Sequence, residues 1–255
     1  MPRHMGSKIP QGGEFPILVK FIDAKQDLSV QVHPDDDYAR KYEHQNGKTE
    51  MWYVLDATED ASLIYGFEHP VNEGILRKAV ETETLGKHLH KVKVHKGDLF
   101  YVPAGTVHGI GAGSLVAEIQ ESSNVTYRVY DYDRVDKNGN KRELHFDEAI
   151  RVMDMTAVPD VRQKARLVRY YPGCAREVLC SCKYFETERI QVSSECEFTV
   201  LNTSFQVLLC IDGVGTVAGP KGETVSLVKG DCLFIPADMG LCRLKGKMEL
   251  LKVRC

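Results

Sequence analysis

The chain has 255 residues and a formal net charge of −3, with 43% hydrophobic and 27% charged residues, the balance of an ordinary globular protein. No basic run is long enough for a nucleic-acid stripe, and the longest apolar runs, such as Phe205-Gln-Val-Leu-Leu-Cys-Ile211, are strand-sized and too short to span a bilayer. No apolar leader-like stretch opens the chain, and its eight cysteines all fall between Cys174 and Cys255 without a Cys-x-x-Cys framework, so free thiols in a cytoplasmic protein are expected.

In chain order, the run His4-Met-Gly-Ser7 reads either as a cloning remnant or as native sequence. Short strands are predicted over residues 17–22, 28–33, 50–55, 62–65, 99–102, 115–120 and 126–130, punctuated by Gly, Pro and Asp as in an all-β barrel or sandwich. A helix is predicted from Pro34 to Glu43, with Asp35, Asp36 and Asp37 near its positive end. Two more helical stretches are expected between Asn72 and His90, and another from Phe146 to Met153. Strands are predicted from Thr156 onward. An internal echo supports two similar halves: Lys96-Gly-Asp-Leu-Phe-Tyr-Val-Pro-Ala-Gly-Thr-Val-His108 resembles Lys229-Gly-Asp-Cys-Leu-Phe-Ile-Pro-Ala-Asp-Met-Gly-Leu241. The first copy ends on a histidine and the second on Leu241. The expected architecture is mostly β, two jelly-roll barrels with inserted helices: residues 1–156 as a metal-binding catalytic domain, residues 157–255 as a β domain without metal ligands.

The metal expectation starts from Leu28-Ser-Val-Gln-Val-His33. Strand periodicity puts Gln31 and His33 on one face. Polar groups on the inner face of a barrel cost about 2–7 kcal/mol each if unpaired, and a bound cation would offset that cost. Glu50 in Gly47-Lys-Thr-Glu-Met-Trp-Tyr53 and His108 in Pro103-Ala-Gly-Thr-Val-His108 complete a set of two imidazoles, a carboxylate and an amide. Catalytic zinc favours three strong ligands and an open position, here His33, Glu50 and His108 with Gln31 weaker. Two histidines and one carboxylate also suit Fe(II). Glu118 and Gln120 alternate on one strand, and Glu118 is expected to support the ligands. Trp52 shares a face with Glu50, with core packing as its default role. Asp131, Asp133 and Arg134 are expected to organise a loop through salt bridges, and His88, His90 and His95 to lie at the surface.

The segment Gly97–His108 fits the second cupin motif. Together with Phe15-Pro-Ile-Leu-Val-Lys-Phe-Ile-Asp-Ala24, residues 28–36, 47–53 and 103–108, Glu118-Ile-Gln-Glu-Ser-Ser123 and Thr126-Tyr-Arg-Val-Tyr-Asp-Tyr-Asp-Arg134, it resembles the type I mannose-6-phosphate isomerases, above all the short bacterial form. The resemblance implies one zinc ion per chain held by Gln31, His33, Glu50 and His108. It implies a hexose 6-phosphate substrate, and interconversion of mannose 6-phosphate and fructose 6-phosphate through an enediol-type intermediate. Arg128 matches the family's active-site arginine and Lys48 the lysine near the sugar. A monomer or homodimer, without nucleic-acid or membrane partners, is expected. The chain lacks the Trp-Gly-Gly-like and Gly-Glu-Ser-Trp-like segments with which short-form members begin, so it reads as N-terminally truncated. The alternative reading is therefore a catalytically impaired sugar-phosphate-binding cupin.

Overall fold

The computed structural model describes residues 2–9, 14–132, 134–135, 137–158, 161 and 166–255. It divides into two compact units, Ile17–Gln163 and a second made of Met1–Pro16 with Lys164–Cys255. The sequence groups the first sixteen residues with the metal-binding domain. In the structure residues 4–8 are bonded to the other unit. Met5 O accepts from Phe205 N (3.0 Å), His4 O accepts from Ala237 N (2.8 Å), and Ser7 N donates to Asn202 O (2.9 Å). The His4–Ser7 run is thus an integral packed segment, with Gly6 at φ +98° tight against Thr203 and Ser204.

The unit Ile17–Gln163 carries two antiparallel sheets. One has the order β1 (Ile17–Ala24), β8 (Ser114–Glu121), β3 (Glu50–Ala57), β6 (Leu99–Val102). The other runs β5 (Leu89–Lys93), β4 (Ser62–Phe67), β7 (His108–Ile110), β2 (Val30–Val32), β9 (Tyr127–Tyr130). Trp52, Val54, Phe100 and Val116 from the first sheet share one buried cluster with Leu63, Tyr65, Val92 and Ile110 from the second, so the sheets enclose a common core. A second cluster joins Val30, Val32, Tyr127 and Val129 to Leu76 and Ala79 of α3 (Glu73–Glu81) and Ala149 of α4 (Phe146–Val152).

Two local expectations are corrected. Only Val30–Val32 is strand within residues 28–33, although Leu28 N still bonds Ile110 O at 2.8 Å. The helix after Pro34, α2 (Asp36–Tyr42), starts later than predicted, because the Asp35 side chain accepts from Tyr38 N and caps it. Between residues 72 and 90, α3 and a single 3₁₀ turn (Leu85–Lys87) give way to β5, which holds His90.

The second unit is one antiparallel sheet system: β10 (Val168–Tyr171), β11 (Cys174–Ser181), β12 (Glu186–Val192), β17 (Gly240–Arg254), β14 (Gln206–Ala218), β15 (Thr224–Val228), with β13 (Glu195–Val200) on β17 and β16 (Cys232–Ile235) on β14. The internal echo is structural. Gly97 and Gly230 both take left-handed backbone, at φ +89° and +96°, which glycine adopts without Cβ strain. Each donates to a strand carbonyl at 2.8 Å, Val54 O and Cys210 O. Asp98 and Asp231 then each close the turn through a carboxylate oxygen, accepting from His95 N and Val228 N at 2.8 Å. No helix among the described residues is long and apolar enough to cross a membrane.

Candidate metal centre

The four predicted ligands come from three strands: Gln31 and His33 from β2 and its end, Glu50 from β3 and His108 from β7. Gln31 lies opposite both His108 and Arg128 in the β2–β7 and β2–β9 ladders. Directly paired residues share a face, so all three point to the side opposite the apolar pair Val30 and Val32. His33 leaves the end of β2, and its carbonyl accepts from Gly105 N at 2.8 Å, tying the Gln-x-His strand to the Pro-Ala-Gly turn that carries His108. Glu50 opens β3. Its approach is fixed by Gly47 N on Asp36 Oδ1 (3.1 Å) and Thr49 N on Glu121 Oε1 (2.7 Å), and by Lys48 N on Pro34 O (3.1 Å).

His33, Glu50 and His108 converge so that one ligand atom from each lies within 4.8 Å of the others, and all three are buried. His33 Nε2 is 3.3 Å from Glu50 Oε1, and His108 Nε2 is 3.7 Å from Glu50 Oε2. His108 Nδ1 sits 2.8 Å from the Thr106 carbonyl. A carbonyl only accepts, so Nδ1 carries the proton and Nε2 offers its lone pair inward. Among the described residues, neither ring nitrogen of His33 makes a hydrogen bond of good geometry, and Glu50 Oε1 is approached by His33 Nε2 and Lys48 Nζ as ion-pair contacts without one. Leaving buried polar atoms unsatisfied costs about 1–3 kcal/mol each. The donor set fits a divalent cation of borderline hardness, which would take one ring nitrogen of His33 together with Glu50. Gln31 Nε2 lies 3.4 Å from His108 Nε2, putting its amide at the edge of the triad.

The electrostatics agree. Burial pushes His33 down to about 3, against the pull of Glu50, and lowers His108 as well. Both rings are therefore neutral at neutral pH, the form in which an imidazole can act as a ligand. Burial alone would raise Glu50, but His33, His108 and Lys48 hold it well below the usual carboxylate range. Lys48 is buried rather than solvated, with Nζ 3.2 Å from Glu50 Oε1.

Arg128 extends from β9. Its Nη1 donates to Glu143 O at 2.7 Å, its Nε is buried without a hydrogen-bond partner among the described residues, and burial together with Arg142 lowers its pKa. Nearby, Asp131 accepts from Arg142 Nε at 2.7 Å and pairs with Arg134. Asp133, grouped with them in the sequence, lies outside the described residues.

Lys20 joins the site beyond the residues that the sequence singled out. The β1–β8 ladder sets Lys20 opposite Glu118, and Lys20 Nζ lies 3.3 Å from Glu118 Oε2 while also bonding Gln120 Oε1. Glu118 faces Trp52 across the β3–β8 ladder. Burial, then the charge of Glu50, pushes its carboxyl up to about 8. The available sequence signal for Lys20 was one cation inside the apolar run Ile17-Leu-Val-Lys-Phe-Ile22. Trp52, assigned to packing by default, also donates to Glu50 Oε2 at 3.1 Å.

Known proteins share this framework. The family model "Phosphomannose isomerase type I, catalytic domain" matches residues 2–64, and "Mannose-6-phosphate isomerase, cupin domain" matches residues 176–255. Mannose-6-phosphate isomerase ManA of Bacillus subtilis is 38% identical over 251 residues, 98% of this chain and 78% of that protein. The mannose-6-phosphate isomerase of Streptococcus mutans is 37% identical over 237 residues, 93% of this chain and 73% of that protein. The crystal structure of the mannose 6-phosphate isomerase from Bacillus subtilis superposes with a TM-score of 0.86 at 36% identity, covering 96% of this chain and 76% of that one. With a mostly β cupin-type fold, these motifs in order and this extent of identity, the chain belongs to the type I mannose-6-phosphate isomerase family.

Proposed function

We propose that the chain is a zinc-dependent aldose–ketose isomerase that interconverts mannose 6-phosphate and fructose 6-phosphate through an enediol-type intermediate. The observation that carries this reading is the buried triad His33, Glu50 and His108, with one ligand atom from each within 4.8 Å of the others. These residues, with Gln31 as the weaker fourth, would hold one zinc ion. Zinc, when bound, supplies Lewis acidity and an anchor for the sugar oxygens.

The chain's own groups account for the rest. Isomerisation moves a proton between C1 and C2, so it needs an acid–base group of near-neutral pKa. Glu118, pushed up to about 8 beside the triad, meets that requirement. Lys20, 3.3 Å from Glu118, orients this carboxyl and offers a cation to the substrate. Lys48 balances Glu50 from within the site and would exchange a proton with a sugar oxygen. Arg128 remains cationic and offers its guanidinium to developing oxyanion charge. Free thiols at all eight cysteines support a reducing cytoplasm as the working compartment.

The test is a coupled assay for fructose 6-phosphate formed from mannose 6-phosphate by zinc-loaded protein, with His108→Ala as control. Turnover that disappears in the variant, together with its zinc, supports the reading. A folded, zinc-loaded protein without turnover refutes it.

A further inference from the structure

We infer that Cys174 and Cys196 form an oxidation site, closing to an intramolecular disulfide when the protein meets a peroxide. The two sulfurs lie 2.8 Å apart in the buried core of the second unit. That is shorter than the roughly 3.5–4.0 Å of ordinary non-bonded contact between heavy atoms and longer than the ~2.05 Å of a formed bond.

The backbone explains why these two thiols meet. Cys174 opens β11 and pairs with Val192, the last residue of β12. The chain turns at Ser193 and Ser194 and returns with Cys196 on β13. The turn is fastened to the residue before Cys174, since Gly173 O accepts from Ser193 N (2.8 Å) and Ser194 N (3.2 Å). Gly173 takes φ +82°, and a Cβ there would come within 2.3 Å of Glu195 O. Glycine therefore lets the two backbones touch, and both sulfurs are directed inward on adjoining segments. They sit among Ile190, Val192 and Phe198.

The reaction balances with hydrogen peroxide as oxidant. One sulfur attacks a peroxide oxygen and the O–O bond breaks. The thiol proton leaves with the departing hydroxide as water, giving a sulfenic acid. The second sulfur displaces the hydroxyl from that sulfenic sulfur, forming the S–S bond, and its proton completes a second water. The two cysteines lose two electrons, which the peroxide gains. Burial, with the contact to Cys174, pushes the Cys196 thiol up to about 12, so the attacking thiolate is scarce at neutral pH and oxidation accelerates as pH rises. The bond would link residues 22 positions apart and restrict the unfolded chain.

The test uses the full zinc-loaded chain treated with hydrogen peroxide, then denatured, alkylated without reductant, digested and mapped by mass spectrometry. The expected product is a peptide joining Cys174 to Cys196, lighter by two hydrogens, and a thermal midpoint raised by several degrees in the oxidised protein. Cys196→Ser should show neither. Recovery of Cys174 and Cys196 as separate alkylated or over-oxidised peptides, or their appearance in bonds to other cysteines, would overturn the inference. The peptide map of the unsubstituted chain decides the matter even where Cys196→Ser does not fold.

Discussion

The indole Nε1 of Trp52 donates to Glu50 Oε2 over 3.1 Å, between two buried residues of one strand. Residues two apart on a strand share a face, so the tryptophan packs in the core and aims the carboxylate at once. A residue that orients a metal ligand commonly carries about 10–100-fold of metal affinity. Trp52→Phe keeps most of the packing and removes the donor. Zinc affinity, measured by competition with a chelator, should fall within that range, while zinc-saturated turnover falls less. Unchanged affinity would mean that Glu50 is held by its strand alone.

Gly47 is the second lever on Glu50. A Cβ there would lie 2.4 Å from Asp36 N and 2.5 Å from Asp35 C, backbone atoms at the capped start of α2 that cannot swing aside. Gly47→Ala should cost about 1–3 kcal/mol, as overpacked sites do, and should weaken zinc binding by displacing the segment that leads to Glu50. Denaturant unfolding and zinc titration check the two effects separately.

Arg128 tests the oxyanion role. Removing a group of this kind typically costs about 10²–10³ in kcat. Arg128→Ala should lose turnover in that range with zinc content intact, and Arg128→Lys should recover only part of it, since a point charge does not reproduce the planar fork. Normal turnover in Arg128→Ala would assign the residue to its Glu143 carbonyl contact and nothing more.

The second unit should show acid sensitivity that does not involve the candidate metal centre. Burial raises Glu188, but Arg176, hydrogen-bonded at 2.7 and 2.8 Å, and Lys252 at 2.7 Å outweigh it, so its pKa is lowered. A carboxyl lowered on folding contributes stability above its unfolded pKa and loses it as pH falls through the folded value. The thermal midpoint should therefore drop as pH is taken from about 6 to below the ordinary glutamate value of about 4.3. Glu188→Gln should be less stable at neutral pH by about 1–3 kcal/mol and show a shallower acid slope. An identical slope in the variant would place the sensitivity elsewhere.

What the sequence determined by itself was local. Period-two alternation in Leu28–His33 put Gln31 opposite in facing to Val30 and Val32, and the structure keeps that facing although the strand is shorter. The Gly-Asp turns at Gly97 and Gly230 were readable because few backbone conformations accept that pair, and both adopt the left-handed geometry. Tertiary structure alone decided the rest. Lys20 and Glu118 are 98 residues apart and meet only through the β1–β8 register. Lys48 looks like a solvated lysine beside a glycine until Pro34, Glu50 and Asp36 enclose its segment. Residues 4–8 side with the second unit because their backbone partners lie beyond residue 200. Periodicity and turn chemistry act over a few residues and are written in the neighbours. Register, burial and the shifted acidity of Glu118 depend on which distant strands pair, and that follows from the whole core.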